Sequence, residues 1–158
     1  MLLWLAEGLD DAGIGPWVRE VGWVYPWVNV LHLLGLVMLV GGIGLLDLRV
    51  LGLFRDLPLA ILSRVLTPVA VIGFVVQLLT GLLLFAADGP TLANAALFQA
   101  KLVLLALVMV NAGAFRVAWA RQPAHIRRHP TPALRLSALA SLLLWLTIAA
   151  LGRLIAYY

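Results

Sequence analysis

The sequence predicts an all-α integral membrane protein built as a four-helix up-down bundle. Of its 158 residues, 64% are hydrophobic and 11% are charged, and the mean hydropathy is +1.07. A soluble domain of this size does not need so apolar a composition. Four apolar runs of about 20 residues are each long enough to cross a hydrocarbon core of roughly 30 Å. Few residues remain outside these runs, so we expect a single membrane domain over residues 1–158.

The expected spans follow from the apolar runs and from the signals that interrupt them. We place them at residues 26–46, 68–87, 97–120 and 133–158, after an interfacial segment at residues 1–25. Pro26 suits the first turn of a helix, where its missing N–H is not needed. The run Asp88-Gly89-Pro90 is a turn signal that we expect to end the second span. Because the connections are short, consecutive helices are expected to be antiparallel neighbours.

The distribution of positive charge predicts the orientation of the bundle. The chain has 11 Lys and Arg residues against seven Asp and Glu residues. Most of these cations lie in or beside the first and third connections: Arg49, Arg55, Arg64, Arg116, Arg121, Arg127, Arg128 and Arg135. By the positive-inside rule, both connections are cytoplasmic, and both termini lie on the outer face of a bacterial inner membrane. The excess of arginine is therefore explained by the orientation of the bundle in the membrane, and we do not expect nucleic-acid binding.

His32 is the histidine that a membrane span would bury. It follows Pro26 by six residues, which places it roughly 9 Å along the helix from the outer boundary. A neutral imidazole at that depth can ligate haem iron or copper, relay a proton, or hydrogen-bond a neighbouring helix. Gly35 and Gly42 form a smooth stripe beside it, which would admit either a flat macrocycle or a closely packed helix. The sequence leaves these alternatives open.

Polar residues on other spans are expected to lie near His32. Gln77 and Thr80 share one face of the second span with Gly73 and are at a similar depth in an antiparallel bundle. Interhelical hydrogen bonds would be enough to explain them. Lys101 and Arg153 lie near the outer ends of their helices.

The two cations have two possible roles. Each of them can extend to lipid headgroups without any further function. Two cations on the side of His32 also suggest a bound anionic group: haem propionates, a quinone headgroup or a lipid phosphate. These residues make haem b the cofactor hypothesis, with His32 as the metal ligand.

Asp47 and Arg49 end the first span. At a spacing of two residues they point to different sides of the helix, so they do not pair with each other. We expect Arg64 or another loop cation to be the partner of Asp47 and the pair to anchor the cytoplasmic end.

Other classes of site have little support in the sequence. His125 and His129 have the i,i+4 spacing of metal ligands, but two arginines stand between them, prolines bracket them and no carboxylate is close. Without cysteine there is no disulfide or thiolate site. Copper transport would need more soft ligands than Met38 and Met109 supply in the spans. No hydrolase or nucleotide-binding motif is present, so we expect a protein that is not an enzyme.

Five sequence segments resemble a bacterial family of four-helix inner-membrane proteins of unknown function. They are YPWVNVLHLLG from residue 25, DLRVLG from 47, GLLLFAAD from 81, FQAKLVLLALVMVNA from 98 and SLLLWLTIAALGRLIAYY from 141. The layout is also distantly similar to the copper-resistance D and b-type cytochrome membrane proteins. The resemblance marks seven polar positions as parts of family motifs: His32, Asp47, Arg49, Gln99, Lys101, Asn111 and Arg153.

The chain departs from the b-type cytochrome pattern in one respect. Such four-helix cytochromes use paired histidines on membrane helices, whereas the spans of this chain hold one. Paired ligation of a haem would therefore need a second copy of the chain or a partner subunit.

Two functional hypotheses follow from the sequence. In the first, the protein binds haem b in the outer half of the bundle and transfers electrons, with Lys101 and Arg153 at the propionates and the glycines beside the ring. In the second, it is a non-catalytic structural or accessory subunit of a membrane complex or homo-oligomer. His32 then hydrogen-bonds to Gln77 or Thr80.

Overall fold

A computed structural model describes residues 1–121 and 130–155. Those residues form helices and no strands, so the all-α prediction is confirmed. The helices are α1 (Leu2–Asp11), α2 (Ile14–Glu20), α3 (Val24–Leu51), α4 (Leu59–Asn94), α5 (Ala96–Ala120) and α6 (Pro132–Leu154). The last four are long and apolar enough to cross a membrane, as a membrane protein requires.

The second long helix differs most from the expectation. At the turn expected at residues 88–90 the chain has a kink at Asp88 (φ −124°, ψ 24°), and it then continues as helix to Asn94. Pro90 explains both facts. Proline cannot donate to the preceding turn of α4, but its fixed φ suits the first turn of the helical segment that follows.

Helix α3 is the central helix of the bundle. It packs against α4 on one side and α6 on another, and α5 packs against α6. Contacts between α4 and α5 are few, although the two helices are consecutive. The expectation that all consecutive helices are neighbours along their length therefore fails for this pair. The ends of α4 and α5 meet at Phe85 and Phe98, whose stacked rings are 5.3 Å apart.

One apolar core joins the four long helices. Its buried members are Leu39 on α3, Ala70 on α4, Val108 on α5, and Trp145 and Ile148 on α6. Burial of such side chains stabilises the fold because it removes apolar area from solvent. It also brings the side-chain atoms into closer packing, which adds dispersion energy. This core lies between two polar clusters, one towards each end of the bundle.

The two short helices pack on the kinked end of α4. Ala6 of α1 faces Gly89, where an added Cβ would lie 2.6 Å from the Ala6 Cβ. Arg19 of α2 donates to the Ala87 carbonyl at 2.9 Å and pairs with Asp10 at 2.7 Å. A basic side chain thus contacts a carbonyl beside the bend in α4. The segment before α3 is consequently fixed to one end of the bundle. We call this end the outer end and the opposite one the inner end, after the expected orientation.

Arg49 closes the connection after α3. The helix ends at Gly52 with φ 114°, a conformation that favours glycine. Arg49 then donates to the carbonyls of Leu57 at 2.8 Å and of Arg55 at 3.1 Å. Its guanidinium therefore holds the loop against the helix end.

Candidate functional site

The outer half of the α3/α4 interface is a contact between two backbones. An added Cβ on Gly73 would lie 2.6 Å from the backbone nitrogen of Leu39 and 2.7 Å from the Gly35 carbonyl. An added Cβ on Gly42 would lie 3.0 Å from the Ala70 Cβ. Glycine at these positions lets the helices approach more closely than any side chain would allow. Of the two uses of the stripe that the sequence left open, this geometry matches close helix packing.

His32 lies one turn before this contact and is hydrogen-bonded to α4. Its Nδ1 is 2.8 Å from the Thr80 Oγ1, and the same hydroxyl donates to the Val76 carbonyl at 2.6 Å. A hydroxyl has one proton, and here the Val76 carbonyl receives it. The Nδ1 of His32 must then carry the ring hydrogen and donate it to Thr80. The Nε2 of His32 is consequently the ring nitrogen with an available lone pair.

Gln77 completes the polar cluster between the two helices. Its Nε2 donates to the His32 carbonyl at 2.7 Å, so this carbonyl accepts a bond from another helix in addition to its place in α3. We call His32, Gln77 and Thr80 the outer cluster. The structure brings all three predicted residues together at the glycine contact.

Lys101 and Arg153 lie at the outer ends of α5 and α6. The Nζ of Lys101 lies 3.3 Å from the position of an added Cβ on Gly152, the residue before Arg153. Lys101 is half-buried. Within residues 1–121 and 130–155 it has no hydrogen-bond or ion-pair partner. Lys101 therefore lies against the end of α6.

The inner half of the bundle contains polar residues whose contacts with one another were not expected from the sequence. Asn111 of α5 donates to the Ser137 carbonyl at 3.0 Å and accepts from the Ser137 hydroxyl at 2.8 Å. One turn further along α6, Ser141 faces the carboxyl of Asp47 on α3. The i,i+4 spacing of the two serines on an apolar helix was the signal that could have revealed them. We call Asn111, Ser137, Ser141 and Asp47 the inner cluster.

Asp47 does not pair with Arg64, and of the other loop cations expected as partners, Arg127 and Arg128 lie outside the described residues. Asp47 forms no ion pair with a described cation and is only 8% exposed at the contact of α3 with α6. Arg64 is exposed on α4. Asp47 lies on the side of α3 that packs into the bundle, so it is not a surface anchor.

Two cavities among the described residues lie away from His32. The first, of about 250 Å³, lies between α5 and α6 and is lined by Asn111, Ser137, Thr131, Phe115 and neighbouring alanine and leucine residues. The second, of about 340 Å³, lies at the amino terminus beside Asn94 and Gln99. No group of three potential metal ligands occurs in the described part of the chain. His125 and His129 lie outside the described residues.

A haem between α3 and α4 does not fit this arrangement. The stripe formed by Gly35, Gly42 and Gly73 is filled by the facing helix, and the imidazole of His32 is bonded to Thr80 through Nδ1. Only Nε2 could act as a metal ligand, and a ring bound there would have to lie outside the glycine contact.

Comparison with known proteins identifies a family. No curated protein and no solved structure is significantly similar to the chain. A family model matches residues 8–158, which is nearly the whole sequence and includes both polar clusters. The chain therefore belongs to the family of unknown function DUF6644.

Proposed function

We propose that the protein is a non-catalytic accessory subunit of the membrane, in which the outer cluster joins α3 to α4. The 2.8 Å bond between His32 and Thr80 is the observation that carries this proposal. It uses one ring nitrogen in an interhelical contact, and Gln77 adds a second contact from α4. Each of the three predicted polar residues therefore has a structural partner.

A second copy of the chain is the partner that we propose, and α5 is the helix that contacts it. Only 6% of the most apolar stretch of α5 is buried within the chain, compared with 28% for each of the other long helices. Val110 at its middle is 71% exposed. Lipid can cover such a face, but a helix that contributes so little to its own bundle is the one best placed to pack against another subunit.

Single-cysteine cross-linking tests this interface, since the natural sequence has no cysteine. Val110→Cys should form a disulfide-linked dimer when membranes are oxidised with copper phenanthroline. Leu78→Cys is the matched control, because Leu78 is 62% exposed at the middle of α4. Equal cross-linking at both positions, or none at Val110→Cys, would contradict dimerisation through α5.

Haem binding is a second candidate function, supported by the lone pair of the His32 Nε2 and by the nearby Lys101. It requires a ring outside the α3/α4 contact and, for paired ligation, a second histidine from another chain. The test is an absorbance spectrum of protein purified in mild detergent after expression with added haem. A Soret band that disappears in His32→Ala would establish haem binding and refute the purely structural proposal. A spectrum without that band, combined with weaker assembly of His32→Ala, would support the structural one.

We also propose that the protein resides in a bacterial inner membrane with both termini on the outer side. The basic connections support this orientation. Single cysteines at Trp4 and Leu53, which are 75% and 49% exposed, report the two faces. An impermeant maleimide should label Trp4→Cys in cells with a permeabilised outer membrane and Leu53→Cys only after lysis. The reverse pattern would overturn the orientation.

A further inference from the structure

Asp47 is a buried carboxyl with an oxygen that lacks a partner. Its Oδ2 is inaccessible and has no hydrogen bond to any described residue. Ser141 on α6 is the polar side chain that faces the carboxyl. A lone ionised carboxylate is strongly disfavoured in a helical bundle surrounded by hydrocarbon. The carboxyl therefore needs either a cation or a proton.

The described cations near the inner end do not neutralise Asp47. Arg49 donates to loop carbonyls, and Arg55 donates to the Gly52 carbonyl at 2.9 Å. On the helices packed against α3, Arg64 of α4 and Arg135 of α6 are both exposed. None of these four forms an ion pair with Asp47. Within the described residues, the side chain has no built-in counter-charge.

Several polar side chains of α5 and α6 lie between the inner end of the bundle and Asp47. The cavity of about 250 Å³ between α5 and α6 extends from Thr131, at the start of α6, to Asn111 and Ser137. A cavity of that volume, in which the Thr131 and Ser137 hydroxyls and the Asn111 amide stand among apolar side chains, has room for several water molecules. Ser141 lies one helical turn beyond Ser137 and faces Asp47. The hydroxyl groups of α6 thus continue from the cavity to the carboxyl.

We propose that Asp47 and Ser141 form a proton-binding site inside the bundle, supplied by water through the cavity between α5 and α6. Uptake of one proton from water converts the carboxylate to a neutral carboxyl group and needs no other reactant. The protonated oxygen becomes a donor, and the Ser141 hydroxyl can accept from or donate to the same group. This site is independent of the proposed accessory role and of any cofactor at His32.

Carbodiimide labelling tests the proposal. Dicyclohexylcarbodiimide partitions into membranes and modifies protonated carboxyl groups, and peptide mass spectrometry locates the adduct. In wild-type protein reconstituted in nanodiscs, Asp47 should be labelled, with a yield that falls as the pH rises. Asp47→Asn should lose that adduct and keep any adducts on the exposed carboxyls. Absence of an Asp47 adduct at every pH would overturn the proposal, and protection by sodium but not by choline would show a sodium site in its place.

An infrared measurement keeps the proposal testable if Asp47→Asn fails to fold. The wild-type spectrum should contain the carbonyl stretch of a protonated carboxyl, and this band should shift in D₂O. Ala118→Leu, which adds volume at the lining of the cavity, should slow that shift several-fold, whereas Val117→Leu on the exposed side of α5 should not. A carboxylate spectrum across the neutral range would refute proton binding. An equal rate of exchange in both variants would refute the proposed route.

Discussion

The α3/α4 pair and the α5/α6 pair are held together in different ways. In the first, Gly35, Gly42 and Gly73 bring two backbones into contact, and the outer cluster adds hydrogen bonds between side chain and backbone. In the second, Asn111 and Ser137 form the polar contact, and a cavity lies beside them. Close packing gains dispersion energy over the whole interface, whereas a cavity loses it. The comparison indicates a rigid α3/α4 pair and a more accessible α5/α6 pair.

Gly73→Ala should produce the largest loss of stability. The added Cβ meets the backbone of α3, which cannot rotate away, so we expect a cost of about 1–3 kcal/mol in the free energy of unfolding. Gly41→Ala is the matched control, since an added Cβ there meets nothing within 4 Å. It should be neutral or stabilising by up to about 1 kcal/mol, because alanine favours helix over glycine. Titration of the detergent-solubilised protein with dodecyl sulfate, followed by tryptophan fluorescence, measures both. Equal effects of the two changes would show that α3 and α4 do not touch at the glycines.

Removal of the outer hydrogen bond should have a smaller effect. Thr80→Val keeps the shape of the side chain but leaves the Nδ1–H of His32 without its acceptor. Interhelical hydrogen bonds in one membrane protein average about 0.6 kcal/mol and reach about 1.7 kcal/mol. A double-mutant cycle with His32→Ala should give a coupling energy in that range. A coupling energy near zero would mean that His32 and Thr80 do not support each other.

The α5/α6 contact can be tested in the same way. Asn111→Ala removes both the donor and the acceptor that pair with Ser137, so we expect a loss of about 1 kcal/mol. Because the inner cluster borders a cavity, water can replace part of what is lost. The cost should therefore be smaller than that of Gly73→Ala. A larger cost would reverse the ranking of the two interfaces.

The smallest effect is expected at the surface. Arg19 and Asp10 form an exposed ion pair, and such pairs contribute about 0.2–1 kcal/mol. Arg19 also donates to the Ala87 carbonyl beside the bend in α4. Arg19→Gln should therefore destabilise slightly more than Asp10→Asn in the same unfolding titration. If Asp10→Asn costs more, the ion pair and not the carbonyl contact is the main link between α2 and the bundle.

Periodicity and hydropathy predicted the long helices because a membrane span must be apolar over a fixed length. They did not predict the continuation of α4 through Asp88, since Pro90 can begin a helix as readily as it ends one. They also missed Ser137 and Ser141. The role of a hydroxyl on an apolar helix depends on which helix it faces, and the sequence pattern does not specify that neighbour.

The sequence by itself determined the class of the protein, the four candidate spans and the residues of the outer cluster. Only the tertiary structure decided what those residues contact. In the structure, α4 packs against the glycine stripe, which from the sequence could also have held a macrocycle. Asp47, which was expected to form a surface pair, is buried beside Ser141. The physical reason is that composition determines whether a helix is stable in water or in lipid. Its rotation and its neighbours depend on packing along the whole bundle.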